Sequence, residues 1–290
     1  EQTAGAVLEL FPDLELAPSV RVGSDLAEAA RGADPVVCVL PSAHVRRTAG
    51  KVRAALGGRR PFVVSASKGI EPGTLRTMGE VLEEELPESR GRVYALSGPS
   101  FAREVARGVP TGLVLAGPPG PGAKRLRRLF DGGALKVELS ADRKGVELGG
   151  ALKNVLAVGC GILDGLGAGA NSKAAFMVLA VREMARLIRA SGGREPTVYG
   201  LAGLGDLVAT GTSPESRNRA LGEKLGRGKS LRAALKEIPT VAEGAESARS
   251  ARELARARRV PSPLVEAVWR VVHDGAKPRA VLEAMGFENR

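Results

Sequence analysis

The sequence is poor in the residues that most often move protons or bind metals. It holds two histidines, His44 and His273, which excludes a His-rich metal site. A hydrolase triad would have to use one of these two, and no Gly-x-Ser-x-Gly elbow is present. Proton transfer must therefore fall mainly to Lys, Asp, Glu or Tyr. The two cysteines, Cys38 and Cys160, sit inside apolar runs, which predicts two small buried thiols and a reducing, cytoplasmic setting. Aromatics make up only 3% of the chain, against a net charge of +11. Nucleic-acid surfaces pair clustered basic residues with stacking aromatics. Here the basic residues are scattered, as in Lys124–Arg128 and Arg252–Arg259, so a solvated Arg-rich surface is expected. No apolar run reaches the roughly 18 residues of a membrane span. The longest, Val155 to Gly169, is broken by Asp164, and Glu1-Gln2-Thr3 does not open a signal peptide.

Two patterns divide the 290 residues. Apolar runs of strand length occur at Pro35–Leu40, Phe62–Ser65, Val93–Leu96, Leu113–Ala116 and Leu135–Leu139. Helical patterns fall between several of them, at Asp25–Arg31, His44–Leu56, Leu75–Glu85 and Pro121–Phe130. Ser24 or Asp25 can cap the first of these and Thr74 the third. Near-continuous apolar strands alternating with helices predict a parallel sheet covered on both faces. After about Asp142 only helical spacing remains, over Lys144–Leu163, Ser172–Ser191, Ser216–Leu225, Leu231–Lys236, Ala245–Arg258 and Leu264–His273. The expectation is an α/β, Rossmann-like domain over residues 1–142, followed by an all-α substrate domain over residues 143–290.

Such a sheet invites a dinucleotide, whose fingerprint is Gly-x-Gly-x-x-Gly after a first strand. The first 60 residues contain none. Gly165-Leu166-Gly167-Ala168-Gly169 imitates it, but the preceding run is long and helix-like. A helix-to-helix turn is expected there, with Asn171 or Ser172 capping the next helix.

Four segments carry more glycine, polar and charged residues than their surroundings need. Ser65–Glu71 places Lys68 at the C-terminal end of a strand, where open α/β sheets bind ligands. Leu96–Ala102 also follows a strand, and Pro99 can open a helix whose free N–H groups suit phosphate. Glu147–Val155 interrupts an apolar helix with Lys153; burial would lower its pKa toward that of a general acid/base, unless the side chain snorkels to the surface. Gly200–Leu207 sets Asp206 in a glycine-rich turn, and Ser216-Arg217-Asn218 can open a phosphate-binding helix. Each also has a plain structural reading, as an exposed loop lysine, a turn or a capping box. Together they favour a small phosphorylated substrate.

In this order, Ser67–Glu71, Leu96–Ala102, Leu152–Val155, Gly200–Asp206, Ser216–Arg219 and Val241–Gly244 resemble the NAD(P)-dependent sn-glycerol-3-phosphate dehydrogenases of bacterial type. The resemblance runs from near Phe11 to near Pro278. It implies a Rossmann domain, a helical domain and an active site between them. It implies interconversion of sn-glycerol 3-phosphate and dihydroxyacetone phosphate with NAD or NADP, a cytoplasmic homodimer, and supply of glycerol 3-phosphate to phospholipid synthesis. It assigns Lys153 as proton donor and acceptor, with Lys68 and Asp206 as its catalytic companions. Substrate contacts would be Lys68, Gly98, Ser100, Lys153, Asn154, Asp206, Ser216, Arg217 and Asn218. Cofactor contacts would be Lys68, Ala102, Arg217, Val241 and Glu243, and no metal is expected. Family members begin with a strand, a Gly-rich turn and a helix, and this sequence reads as starting after that unit. The alternatives are a related Rossmann-plus-helical hydroxyacid dehydrogenase and a non-catalytic basic binding module.

Overall fold

A computed structural model describes residues 16–238 and 242–287. Five strands form one sheet in the order β1 (Val36–Cys38), β2 (Val63–Ser65), β3 (Val93–Ser97), β4 (Thr111–Ala116) and β5 (Leu135–Ser140). All five lie where the apolar runs predicted them. The sheet is mostly parallel, with one departure: β3 and β4 pair antiparallel, Leu96 opposite Leu115. The connection between them holds one helix of five residues, Ala102–Ala106. At 1.5 Å per residue that helix is too short to carry the chain back along a strand, so β4 returns as a hairpin partner.

The interleaved helices are α1 (Leu26–Ala30), α2 (Ser42–Leu56), α3 (Met78–Glu85), α4 (Ala102–Ala106) and α5 (Pro121–Phe130). Asp25 caps α1 as expected, its Oδ1 accepting from Ala27 N and Glu28 N. The third helix starts three residues later than its pattern suggested. Leu75 has φ +57, a left-handed conformation that cannot continue a helix. Thr74 therefore caps nothing and donates to Glu71; Thr77 is the cap, in a capping box with Glu80. Strands β2, β3 and β4 are largely buried, whereas β1 lies at the end of the described sheet. For that reason Cys38 is only half-buried, unlike Cys160, and the expectation of two buried thiols holds for one of them.

The helical part is built around α6 (Arg143–Gly165), whose interior residues are almost all buried. It is long and apolar enough to cross a membrane, and its apolar window is entirely enclosed by the protein. Asp142 caps it, accepting from Gly145 N at 2.9 Å. Packed on it are α7 (Gly169–Ala190), α8 (Asp206–Thr212), α9 (Arg217–Gly226), α11 (Gly244–Ala257), α12 (Pro263–His273) and α13 (Ala280–Ala284), while α10 (Leu231–Lys236) packs on α9. The Gly165–Gly169 turn joins α6 to α7, with positive φ at Gly167 and Gly169. Helix α7 already begins at Gly169 after Ala168, so Asn171 and Ser172 lie inside its first turn and do not cap it.

Two packing devices hold α6 in place. Helices α6 and α9 touch main chain to main chain. A methyl group added at Gly161 would overlap the carbonyl of Arg219, at Gly165 that of Glu223, at Gly222 that of Val158, and at Gly226 that of Ile162. At its N-terminal end, α6 is tied to α3 of the sheet layer. Arg143 forks onto Glu83 (2.9 and 2.6 Å), and Lys144 meets Glu80 at 2.6 Å. Buried Glu147 accepts from Thr77 Oγ1 at 2.9 Å and from Gly79 N at 2.5 Å.

Helix α12 lacks a cap from its own chain segment, since Ser262 contributes none. Glu183 of α7, 1% exposed, takes that role, accepting from Leu264 N at 3.1 Å and Val265 N at 2.8 Å. Glu183→Ala leaves two buried N–H groups unpaired and is expected to cost about 2–3 kcal/mol. Urea unfolding checks this; a change below about 0.5 kcal/mol would mean that water or a shifted backbone replaces the carboxylate.

Candidate functional site

The C-terminal ends of β1, β2 and β3 face the start of α9 across a cleft of about 440 Å³. Lys68 enters it from the segment after β2. Its Nζ reaches the Gly98 carbonyl at 3.1 Å and Asp206 Oδ2 at 2.5 Å. Gly98 has φ +139, and a Cβ there would press on the Gly112 carbonyl at 2.8 Å, so only glycine presents its carbonyl in this way.

Asp206 begins α8, where the helix N-terminus favours a negative charge. It is 2% exposed and uses both oxygens. Lys153, on the middle of α6 and 7% exposed, donates to Asp206 Oδ1 at 2.9 Å and to Thr210 Oγ1 at 2.7 Å. One carboxylate therefore carries two ammonium groups, one from each side of the cleft. Burial would raise the Asp206 carboxyl, but Lys68 and Lys153 hold it below the usual range. For Lys153 the balance goes the other way. Burial, and then the Lys68 charge, push it down to about 8 against the pull of Asp206. The snorkelling reading of Lys153 is thereby replaced: its head group is enclosed and paired.

The far wall comes from α9 and α11. Ser216 caps α9, accepting from Arg219 N at 3.2 Å, and Ser216, Arg217 and Asn218 line the cleft. Glu243 lines it too; burial raises its carboxyl, with Arg217 opposing. Asn218 Nδ2 donates to Asn154 Oδ1 at 2.9 Å, and Asn218 Oδ1 accepts from Gly244 N at 2.9 Å. Ser100 and Ala102 stand on the sheet side.

Lys68, Ser100, Ala102, Lys153, Asn154, Ser216, Arg217, Asn218 and Glu243 thus share one cleft, with Gly98 and Asp206 bonded to its lysines. Val241 lies outside the described residues. Sequence reasoning did not single out Thr210, although it sits one helical turn after Asp206 and bonds the same lysine. Phe101 lay in the Leu96–Ala102 segment but was given no role, and neither was the strip Val39-Leu40-Pro41, because nothing in an apolar strand end marks it as a cleft wall. Among the described residues, no group of three or more His, Cys, Asp or Glu is placed to hold a metal.

The cleft offers an enclosed acid/base, a second ammonium beside it, and a guanidinium with a helix start for an anion. It suits proton transfer to or from an oxygen on a small anionic molecule.

Comparison with known proteins agrees with that chemistry. A family model described as NAD-dependent glycerol-3-phosphate dehydrogenase N-terminus matches residues 6–119, and one described as its C-terminus matches residues 142–283. The chain is 45% identical to the glycerol-3-phosphate dehydrogenase (NAD(P)+) of Geobacter sulfurreducens, covering 98% of this chain and 86% of the relative. It is 43% identical to the protein of the same name from Oleidesulfovibrio alaskensis, over 97% of this chain and 85% of the other. A crystal structure of glycerol-3-phosphate dehydrogenase from Coxiella burnetii superposes with a TM-score of 0.89 at 33% identity, over 95% of this chain and 84% of that one.

Proposed function

The chain belongs to the NAD-dependent glycerol-3-phosphate dehydrogenase family, and from that premise we infer how its cleft interconverts sn-glycerol 3-phosphate and dihydroxyacetone phosphate with NAD(P). The hydroxyacid-dehydrogenase and binding-module alternatives give way to this reading. The observation that carries the site assignment is the shared carboxylate, Asp206, between the ammoniums of Lys153 and Lys68.

The residues present fit the nicotinamide end of the cofactor. Val39, Leu40, Pro41, Phe101 and Ala102 give an apolar wall for a ring, and the Glu243 carboxylate is an acceptor for an amide N–H. Lys68, Ala102, Arg217 and Glu243 are the residues we assign to holding it, with Val241 as a further expectation from the family. When bound, the nicotinamide supplies or accepts the hydride.

The other steps rest on the protein. Arg217, Ser216 and the first N–H groups of α9 grip the phosphate, and that remote grip places the carbonyl carbon for reaction. Lys153 gives its proton to the developing alkoxide in reduction and takes it back in oxidation. Lys68 supports the negative oxygen and, with Asp206, holds Lys153 in place. The division into residues 1–142 and 143–290, homodimeric assembly, cytoplasmic placement and supply of phospholipid synthesis remain part of this proposal and rest on the family's expectations.

The direct test is oxidation of NADH or NADPH by the protein with dihydroxyacetone phosphate, compared with unphosphorylated dihydroxyacetone. Phosphate-dependent turnover is expected; equal rates with both would sink the assignment of the α9 start to the phosphate.

The lowered pKa of Lys153 has a sign that can be checked. Reduction needs the cationic form, so kcat/KM for dihydroxyacetone phosphate falls as pH rises through about 8. Oxidation needs the neutral amine, so kcat/KM for glycerol 3-phosphate rises through the same point. Flat profiles for both directions between about pH 7 and about pH 9 would remove Lys153 from the proton step.

A further inference from the structure

We propose that Ser67, Gly69 and Glu71 are positioning residues: they clamp the segment that carries Lys68 onto the β1–α2 corner, and so fix the Lys68 ammonium relative to the apolar wall at Leu40 and Pro41. This rests on the dehydrogenase reading of the cleft.

Contacts alternate along Ser67–Glu71, as they do where successive residues of an extended segment face opposite sides. The even positions turn to the helical part. Lys68 reaches Asp206 at 2.5 Å, and Ile70, 5% exposed, packs in the core built around α6. The odd positions turn to the β1–α2 corner. Ser67 Oγ accepts from Leu40 N at 2.9 Å. Gly69 lies so close to the start of α2 that a Cβ would stand 2.5 Å from the Cβ of Ser42. Glu71 takes the guanidinium of Arg46, one turn into α2, in a fork of 2.7 and 2.8 Å. A hydrogen bond, a close contact and an ion pair thus fasten three alternate residues to one corner.

The corner that receives them is itself a wall of the site. Leu40 and Pro41 line the cleft, on the side assigned to the nicotinamide. Leu40 gives its N–H to Ser67, and Pro41 leads directly into Ser42. The place of Lys68 against that wall is therefore set by the clamp and not by the flexible stem of the lysine. The far end of the clamp is braced in turn. The same guanidinium donates to Glu85 at 2.6 Å and to Glu84 at 2.8 Å on α3, and Thr74 donates to Glu71 at 2.5 Å. An isolated exposed ion pair fixes little, but a forked arginine within a network of three carboxylates holds one geometry. The bonds from Arg46 keep the Glu71 carboxyl below the usual carboxylate range, so the clamp stays charged at neutral pH.

The test follows kcat and KM for dihydroxyacetone phosphate against pH, on the full chain. Glu71→Ala opens the clamp and should lower kcat about tenfold, short of the roughly 10²-fold that a 1 Å misplacement can cost. The charge of Lys68 helps to push Lys153 down to about 8, so a displaced Lys68 lets that value rise. The pH at which reduction declines should move upward with it, a shift that plain loss of stability would not give. In a Lys68→Met background, adding Glu71→Ala should change kcat less than about twofold, because its effect passes through Lys68. Should Glu71→Ala fail to fold, Arg46→Lys keeps the charge on α2 but not the fork, and should give both effects at smaller size. A normal kcat, or a lowered one with the pH midpoint unmoved, overturns the proposal, and so do effects that multiply in the double variant. Turnover by the unaltered chain tests the dehydrogenase reading separately. If it is present and the variants are normal, only the clamp fails; if it is absent, both end.

Discussion

Lys153→Ala is expected to lower kcat by about 10²–10⁴-fold while leaving the protein folded. The drop comes from losing the only enclosed ammonium among the described residues that bonds both Asp206 and Thr210. The fold survives because the carboxylate that remains is still paired: Lys68 holds Asp206 Oδ2 at 2.5 Å. The neighbouring substitution behaves differently. Asp206→Ala would leave two ammoniums in one pocket without the carboxylate that bonds them both, and removing one partner of a buried pair costs about 3–5 kcal/mol. The two variants thus separate chemistry from stability. Turnover assays with unfolding curves decide the matter, and a Lys153→Ala protein within tenfold of normal kcat would exclude it as the proton carrier.

The second large effect lies outside the cleft. Gly161→Ala puts a methyl group onto the main-chain carbonyl of Arg219, and backbone yields far less easily than a side chain. Overpacking a core typically costs about 1–3 kcal/mol, and this position is expected at or above the top of that range. Helix α9 must move away from α6, and it carries Ser216 and Arg217 at its start. KM for the phosphorylated substrate should therefore rise together with the loss of stability. A Gly161→Ala protein with normal stability and KM, by urea unfolding and steady-state kinetics, would mean that the two helices are not in main-chain contact. Gly167, with open space around its Cα, is the control: alanine there meets only the strain of φ +67, about 1 kcal/mol.

The five strands and the long helices were legible because their apolar residues recur with the period of the element they form. The glycine turn at Gly165–Gly169 was also read correctly, since the run before it was too long for a strand. The antiparallel pairing of β4 was not legible: it depends on how far the α4 segment travels, and a five-residue helix leaves little periodic trace. Thr74 was expected to cap the third helix because the left-handed turn at Leu75 has no signature in an apolar side chain. Within the cleft, Lys68, Lys153, Asp206 and Arg217 stood out as charges among glycines and apolar residues. Thr210 did not, because a threonine in a helix has ordinary uses and only its neighbour at 2.7 Å gives it another. The Asn154–Asn218–Gly244 row joins positions far apart in the chain, and its polarity is visible only once three helices are placed together.

The main-chain contact between α6 and α9 also acts as a gauge. Lys153 rides on one helix and Arg217 on the other, and no side chain separates the two rods at Gly161, Gly165, Gly222 and Gly226. The reach from the proposed proton donor to the proposed anion clamp is thus set by backbone thickness, a dimension that substitutions elsewhere on either helix leave alone. A ligand is measured against this fixed span: one carbon more or less between phosphate and carbonyl, and one end of the molecule arrives out of place.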